Sequence, residues 1–351
     1  MNNYKTGVFF TAFGTLIFAV IFFFQPALIM DGVRNGLTVC GSSVIPSLFP
    51  FMVLSDFLVR SGFGKIAGKK ISRLTQFLFN LPGAAGCTVI MSLTGGFPVG
   101  AKMTVQLFER GEITQRQGRR MLMFCVNGGP AFVIGTVGSV MLGSTRAGLI
   151  LFVSLTLTSV LIGIASGLLD KEKVRTENTE KTTYDGGVIG ESVNQGINGM
   201  LNVCGWIILI SGINGFILKL PLGSLLPWVT MLTEVTNGCL TASTCFPACV
   251  LAFVLGWSGL AVHCQILTCI KKLNMKISIF WLSRIVAGGL ATAISFVLFK
   301  IFPCEITVFS SLSGIVPKAW SVSAPASAAM LVLSGIMLVD LKSCVKEKAV
   351  V

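Results

Sequence analysis

Apolar runs separated by short polar turns fill almost the whole chain. They fall at 7–29, 36–59, 82–108, 121–142, 147–169, 198–218, 222–243, 245–270, 277–301 and 322–341. A bilayer core needs ~20 apolar residues per helix, so each run is long enough to enter the membrane. Two of them do not cross. The run at 82–108 is basic on both flanks, with Arg60, Lys65, Lys69, Lys70 and Arg73 before it and Arg110, Arg116, Arg119 and Arg120 after it. It therefore enters and leaves on one side, as a re-entrant hairpin. The run at 222–243 has almost no charge at either flank and reads as a hairpin from the opposite side. The predicted fold is an all-α polytopic membrane protein, with about eight spanning helices plus two re-entrant helical hairpins in inverted repeats.

Glycine and proline interrupt four of these runs. The interruptions are Gly95-Gly96-Phe97-Pro98, Asn127-Gly128-Gly129-Pro130, Thr233 to Gly238, and Trp257 to Gly259. In lipid each backbone group freed by a break costs several kcal/mol unless protein, water or solute satisfies it. Paired broken segments in corresponding places of two halves point to a transport site. Pro46 and Pro50 predict a further kink inside the run at 36–59.

The halves also share residues. Asn35-Gly36-Leu37-Thr38-Val39-Cys40-Gly41 resembles Asn198 to Gly205 with one insertion. Leu93-Thr94 matches Leu232-Thr233, and Gly129-Pro130-Ala131 matches Gly259-Leu260-Ala261. The predicted organisation is an N-terminal transmembrane helix in 1–30, a first repeat in 31–169, and a cytoplasmic polar linker in 170–191. A second, inverted repeat follows in 192–301, then an outer loop, a last transmembrane helix and a basic cytoplasmic tail in 302–351. The first run is too long for a signal-peptide core and no small-residue cleavage site follows it, so it reads as a retained helix.

Composition agrees. The 351 residues are 53% hydrophobic and 12% charged, which excludes a soluble domain of this length. The net charge of +13 does not imply nucleic acid, because the basic residues sit in short loops between apolar runs. Twenty of the 27 Lys and Arg fall on the predicted inner side and five on the outer side, namely Arg34, Arg146, Lys219, Lys300 and Lys318. By the positive-inside rule this gives a multi-pass protein of the cell membrane with both termini cytoplasmic. The same charges give an affinity for anionic lipid. Eleven cysteines are scattered singly through apolar runs with no CxxC, and one histidine cannot complete a Cys/His zinc framework, so no metal site is expected. There is neither a GxSxG nucleophile nor a phosphate-binding GxxxxGK[ST] loop, so no enzyme and no ATP-driven pump is expected.

The candidate substrate-binding residues lie at the four breaks. They are Thr94, Gly95, Gly96, Pro98, Lys102, Asn127, Gly128, Thr233, Glu234, Asn237, Ser258, Gly259, His263 and Gln265. Lys102, just past the first break, reads either as a cation for an anionic substrate or as a snorkelling side chain. Glu234, inside the second hairpin break, binds a cation or a substrate donor, cycles a proton, or pairs structurally with Lys102 or Arg284. His263 joins Glu234 in proton coupling or serves packing. Asn127, Thr94, Thr233, Asn237 and Ser258 suit a polar solute and also re-satisfy freed backbone. Arg284 and Asp56 lie within spans outside the breaks and are expected in structural ion pairs. No cofactor is expected beyond a coupling Na+ or H+.

Five ordered motifs carry a family resemblance: IPSLFPF at 45–51, LTGGFPVGAK at 93–102, NGGPAFVIGTVG at 127–138, LTEVTNG at 232–238 and GWSGLAVHCQ at 256–265. Over roughly residues 30–300 the chain resembles sporulation integral membrane proteins with the nucleoside-recognition or "Gate" domain. That resemblance implies an architecture similar to concentrative nucleoside transporters, with a midplane site between two hairpins and two broken helices. One sporulation branch is associated with dipicolinate, which makes a small anionic or nucleoside-like solute the implied cargo. The rival reading is a non-transporting scaffold that assembles with a membrane partner or a second copy during spore-envelope construction. The partners expected are a small-molecule solute and the lipid bilayer, with no nucleic acid.

Overall fold

The computed structural model describes residues 23–24, 26–170 and 187–304. Most of the predicted first span and linker, and the outer loop, last span and tail beyond residue 304, lie outside the described residues. Among the described residues every regular element is helical, and three helices alone are long and apolar enough to cross a membrane, or up to five if each bent pair counts as one. The protein is polytopic and all-α.

Helix α1 (Pro26–Val39) runs through a π-helical turn at Cys40–Val44 into α2 (Ile45–Arg60), with a 57° bend between them. The predicted kink thus falls just ahead of Pro46. A proline has no N–H and its ring crowds the carbonyl four residues back, so the preceding turn widens. Asp31 and Arg34, expected in the turn between two spans, stand on α1 as an exposed pair 3.8 Å apart. The helix continues through them because Gly32 and Gly36 dock directly on Ser211 and Ile208 of α8 (Val188–Ile217).

The bent α1–α2 unit lies antiparallel along α8. Gly32 meets Ser211, Cys40 Sγ is 3.9 Å from Cys204 O, Gly196 faces Val53, and Arg60 pairs with Glu191 at 2.6 Å. The two copies of the Asn-Gly…Val-Cys-Gly motif therefore cross at Cys40 and Cys204. Helix α8 begins at Val188, ahead of the predicted span start at 198, because Val188 and Ile189 are buried against Phe57.

The basic stretch expected as a loop at 60–73 is mostly helix, α3 (Phe63–Phe79). Its positive-φ ends, Gly62 (φ 72°) and Asn80 (φ 49°), explain where it starts and stops. An 80° bend separates it from α4 (Gly83–Thr94), which pairs with α5 (Phe97–Glu109). Ser92 lies against Gly100, and Ala84 and Thr88 share a small cavity lining with Met103 and Leu107. These pairings make α4–α5 an antiparallel hairpin. Helix α6 (Gln115–Phe124) starts on a capping box between Thr114 and Gln117, then unwinds through 125–129. A π-helical segment at Ala131–Met141 and α7 (Thr145–Leu168) complete this half.

The second half repeats the order. After α8 come α9 (Leu226–Thr233) and α10 (Val235–Cys245), which fold back so that Met231 touches Gly238 and Thr230 Oγ1 bonds Thr241 Oγ1 at 3.3 Å. Helices α11 (Cys249–Trp257) and α12 (Gly259–Gln265) form the second broken span, continued by α13 (Leu267–Lys272) and followed by α14 (Ile277–Ile301). One buried cluster joins the halves, with Phe97, Ala101 and Val126 from the first meeting Val235, Val254 and Val262 from the second.

Candidate functional site: two hairpin tips against two helix breaks

In each half the tip of the hairpin stands against the break of the following helix. At the first junction a methyl group on Gly129 would lie 3.0 Å from Thr94 O and 3.1 Å from Gly96 N. At the second, a methyl on Gly259 would lie 2.9 Å from Val235 N and 3.1 Å from Glu234 Cα. Backbone touches backbone at both places, and glycine is the residue that permits it. This equivalence matches Gly129-Pro130-Ala131 with Gly259-Leu260-Ala261.

The first junction satisfies its freed backbone from within. Asn127 Nδ2 donates to Phe124 O at 2.8 Å, and its Oδ1 accepts from Ser159 Oγ of α7 at 2.5 Å. Arg284, 1% exposed, reaches across from α14 and donates through Nη1 to Val126 O at 2.6 Å and through Nη2 to Met123 O. These are carbonyls at the C-terminal, negative end of α6, so the guanidinium is compensated by a helix terminus. The expected ion pair at Arg284 is thus corrected, because carbonyls take the place of a carboxylate. Gly96 turns the chain with φ +85°, and Pro98 sits in the first turn of α5, where its missing N–H does no harm. Thr94 Oγ1 bonds back to Ile90 O at 3.2 Å, so it is the threonine's carbonyl that faces Gly129. Gly95 caps α4, and Gly128 lies beside Phe97 and Val133.

The second junction holds a carboxylate. Glu234, 3% exposed, caps α10, with Oε1 accepting from Thr236 N at 2.8 Å and Oε2 from Asn237 N at 2.7 Å. The positive end of α10 stabilises this charge. No cation pairs with it among the described residues. Lys102 and Arg284, its expected structural partners, lie elsewhere. Thr233 Oγ1 lies 3.0 Å from Asn214 Oδ1 on α8, and Trp257 Nε1 donates to Leu232 O at 3.0 Å. Ser258 takes φ 74° and bonds its hydroxyl to Leu255 O at 3.3 Å. His263 Nε2 is 2.8 Å from Trp257 O, the carbonyl the break sets free. A carbonyl only accepts, so Nε2 carries the proton of the neutral ring. His263 packs edge-on against Trp257 and Phe280 at 4.4 and 5.3 Å. Gln265 ends α12 and is buried.

Lys102 does not point at the hairpin tip. It leans towards α8, where its ammonium occupies the space that a side chain at Gly199 would need. It makes no hydrogen bond or ion pair among the described residues. Asp56 is in the ion pair expected of it, 2.6 Å from Arg60 Nε, and it also accepts from Gln106 Nε2. Among the described residues no three of His, Cys, Asp and Glu gather as a metal site.

Two contributors are unread in the sequence and a third is given another partner there. Asn214, 2% exposed, was marked only by an asparagine inside an apolar run. Ser159 carried no signal, and Arg284 was singled out but given the wrong partner.

The fold and its junctions thus define a polytopic helical membrane protein built from two like-ordered halves. The chain is similar to the sporulation integral membrane protein YlbJ of Bacillus subtilis (strain 168), at 23% identity over 339 residues, covering 82% of this chain and 83% of that protein. No protein-family model matches the chain, and no solved structure does. The likeness supports the sporulation membrane-protein part of the resemblance and does not extend to a nucleoside-recognition domain.

Proposed function

We propose that the chain is a membrane transporter that moves a small polar solute by alternating access, with the solute bound where the hairpin tips meet the helix breaks. The observation that carries this reading is the buried Glu234 carboxylate at the second junction, which has no counter-cation among the described residues. A static scaffold does not need a carboxylate without a counter-cation at a backbone break in the membrane, whereas ionisable groups in such places mark solute and ion pathways. Glu234 takes the coupling Na+ or H+, while Lys102, turned towards Gly199, stands apart from the tips. The name of the similar protein supports a role in sporulation. We extend this to a small carboxylate such as dipicolinate, or a nucleoside-like solute, as cargo.

The test is a thermal-shift screen of purified protein against dipicolinate, nucleosides and small carboxylates, with and without sodium. A ligand that binds the native state raises stability by about 2.7 kcal/mol at 100 times its Kd. The expected result is a shift with one class that disappears in Glu234→Gln and persists in Lys102→Met, while both variants remain folded. A flat screen across every class would reject the transporter reading in favour of a scaffold that works through a membrane partner.

A further inference from the structure

Helix α3 takes no part in the junctions, and its surface is unlike that of any other described helix. Phe63, Ile66, Leu74 and Phe77 form an exposed apolar stripe, with Phe77 84% exposed. Lys69 and Arg73 line one edge of that stripe and Lys70 stands within it, all exposed. Among the described residues these three cations have no acidic partner. The sequence holds no acid between Asp56 and Glu109. Among the described residues Asp56 is engaged with Arg60, and Asp170 with Arg116 and Arg120 at 2.8 and 2.6 Å. Glu112 is 7% exposed.

Three exposed cations in mid-helix cannot face acyl chains. The apolar stripe in turn is poorly placed in water. Both are satisfied when the helix lies in the interface plane, with its stripe in the acyl boundary and its basic edge among headgroups. The opposite face of α3 is pressed on the outer arm of the first hairpin. A methyl on Gly68 would lie 2.5 Å from Gly83 O, and one on Gly83 would lie 2.7 Å from Gly68 O. With backbone against backbone, whatever fixes α3 also fixes α4.

We propose that α3 is an interfacial helix that docks on anionic lipid headgroups through Lys69, Lys70 and Arg73, and that this docking holds the first hairpin in position. Charge complementarity identifies the occupant, since a basic and apolar face with no acidic partner among the described residues suits an anionic leaflet. The inference stands independently of the transport reading.

The experiment reconstitutes the full chain in vesicles of phosphatidylcholine, alone or mixed with phosphatidylglycerol, and follows the thermal midpoint and amide exchange across 83–109. Phosphatidylglycerol should raise the midpoint and slow exchange in the hairpin, with the gain shrinking as salt screens the charges. The variant Lys69→Gln/Lys70→Gln/Arg73→Gln should lose most of that gain. Its substitutions are on exposed side chains, so folding is preserved. The control Lys271→Gln/Lys276→Gln, also exposed, should keep it. The proposal is overturned by no gain in the wild type, by a full gain in the triple variant, or by an equal gain from inorganic phosphate added to phosphatidylcholine vesicles.

Discussion

The two tip–break junctions share a backbone plan and differ in charge. The first carries a buried cation, Arg284, spent on the carbonyls of Met123 and Val126. The second carries a buried anion, Glu234, held by two amides and facing no cation among the described residues. The two junctions of a repeated architecture thus hold charges of opposite sign, brought there by different elements. Where the charge closes the backbone, the junction is complete without a guest. Where the carboxylate oxygens keep lone pairs beyond their two amide donors, the group can still take a solute or a coupling ion.

The largest effect should come from removing the first closure. In Arg284→Met two buried carbonyls lose their donor, at about 1–3 kcal/mol each. In His263→Phe only Trp257 O is left bare, so the loss should be about half as large, roughly 1–3 kcal/mol. Thermal midpoints of the purified variants measure the ratio. Arg284→Lys should recover part of the loss, because an ammonium still donates to one carbonyl. Equal losses for Arg284→Met and His263→Phe would break the comparison, since the cation would then add nothing beyond an ordinary cap.

A medium effect should separate the two contact glycines. Gly259 has φ +74°, where a side chain adds about 1–2 kcal/mol of backbone strain to the collision with Val235 N. Gly129 lies outside the positive-φ region, and its methyl would meet Thr94 O and Gly96 N at 3.0 and 3.1 Å. Gly259→Ala should therefore destabilise more than Gly129→Ala in the same midpoint assay. The reverse order would mean that the first junction is the tighter of the two.

The breaks themselves were legible in the sequence, because glycine and proline inside an apolar run leave few other folds open. Both hairpins followed from charge at their flanks. The partners of the breaks were not legible. Arg284 lies more than 150 residues from Val126, and nothing local announces a guanidinium that caps a helix end in the other half. Lys102 sits one turn past a break in sequence, yet helical geometry turns its side chain towards Gly199 and away from the tip. Helix α3 was hidden by its charge, since a run of Lys and Arg reads as a loop until its apolar residues are placed on one stripe.

The smallest effects come from the neutral hydrogen bonds, which serve as the control for the charged ones. Ser159→Ala leaves Asn127 Oδ1 without its 2.5 Å donor and should cost about 1 kcal/mol. Asn214→Ala removes the acceptor of Thr233 Oγ1, but that hydroxyl keeps Thr230 O at 3.2 Å as an alternative. Asn214 also buries an Nδ2 with no partner among the described residues, and its removal relieves that desolvation. Asn214→Ala should thus leave the midpoint within about 0.5 kcal/mol of the wild type, less than Ser159→Ala. A side chain that costs so little to remove, yet is buried against Thr233 with a donor to spare, is expected to serve a guest of the second junction more than the fold. If the solute shift then survives Asn214→Ala unchanged, the spare donor faces no guest, and the second junction offers its carboxylate alone.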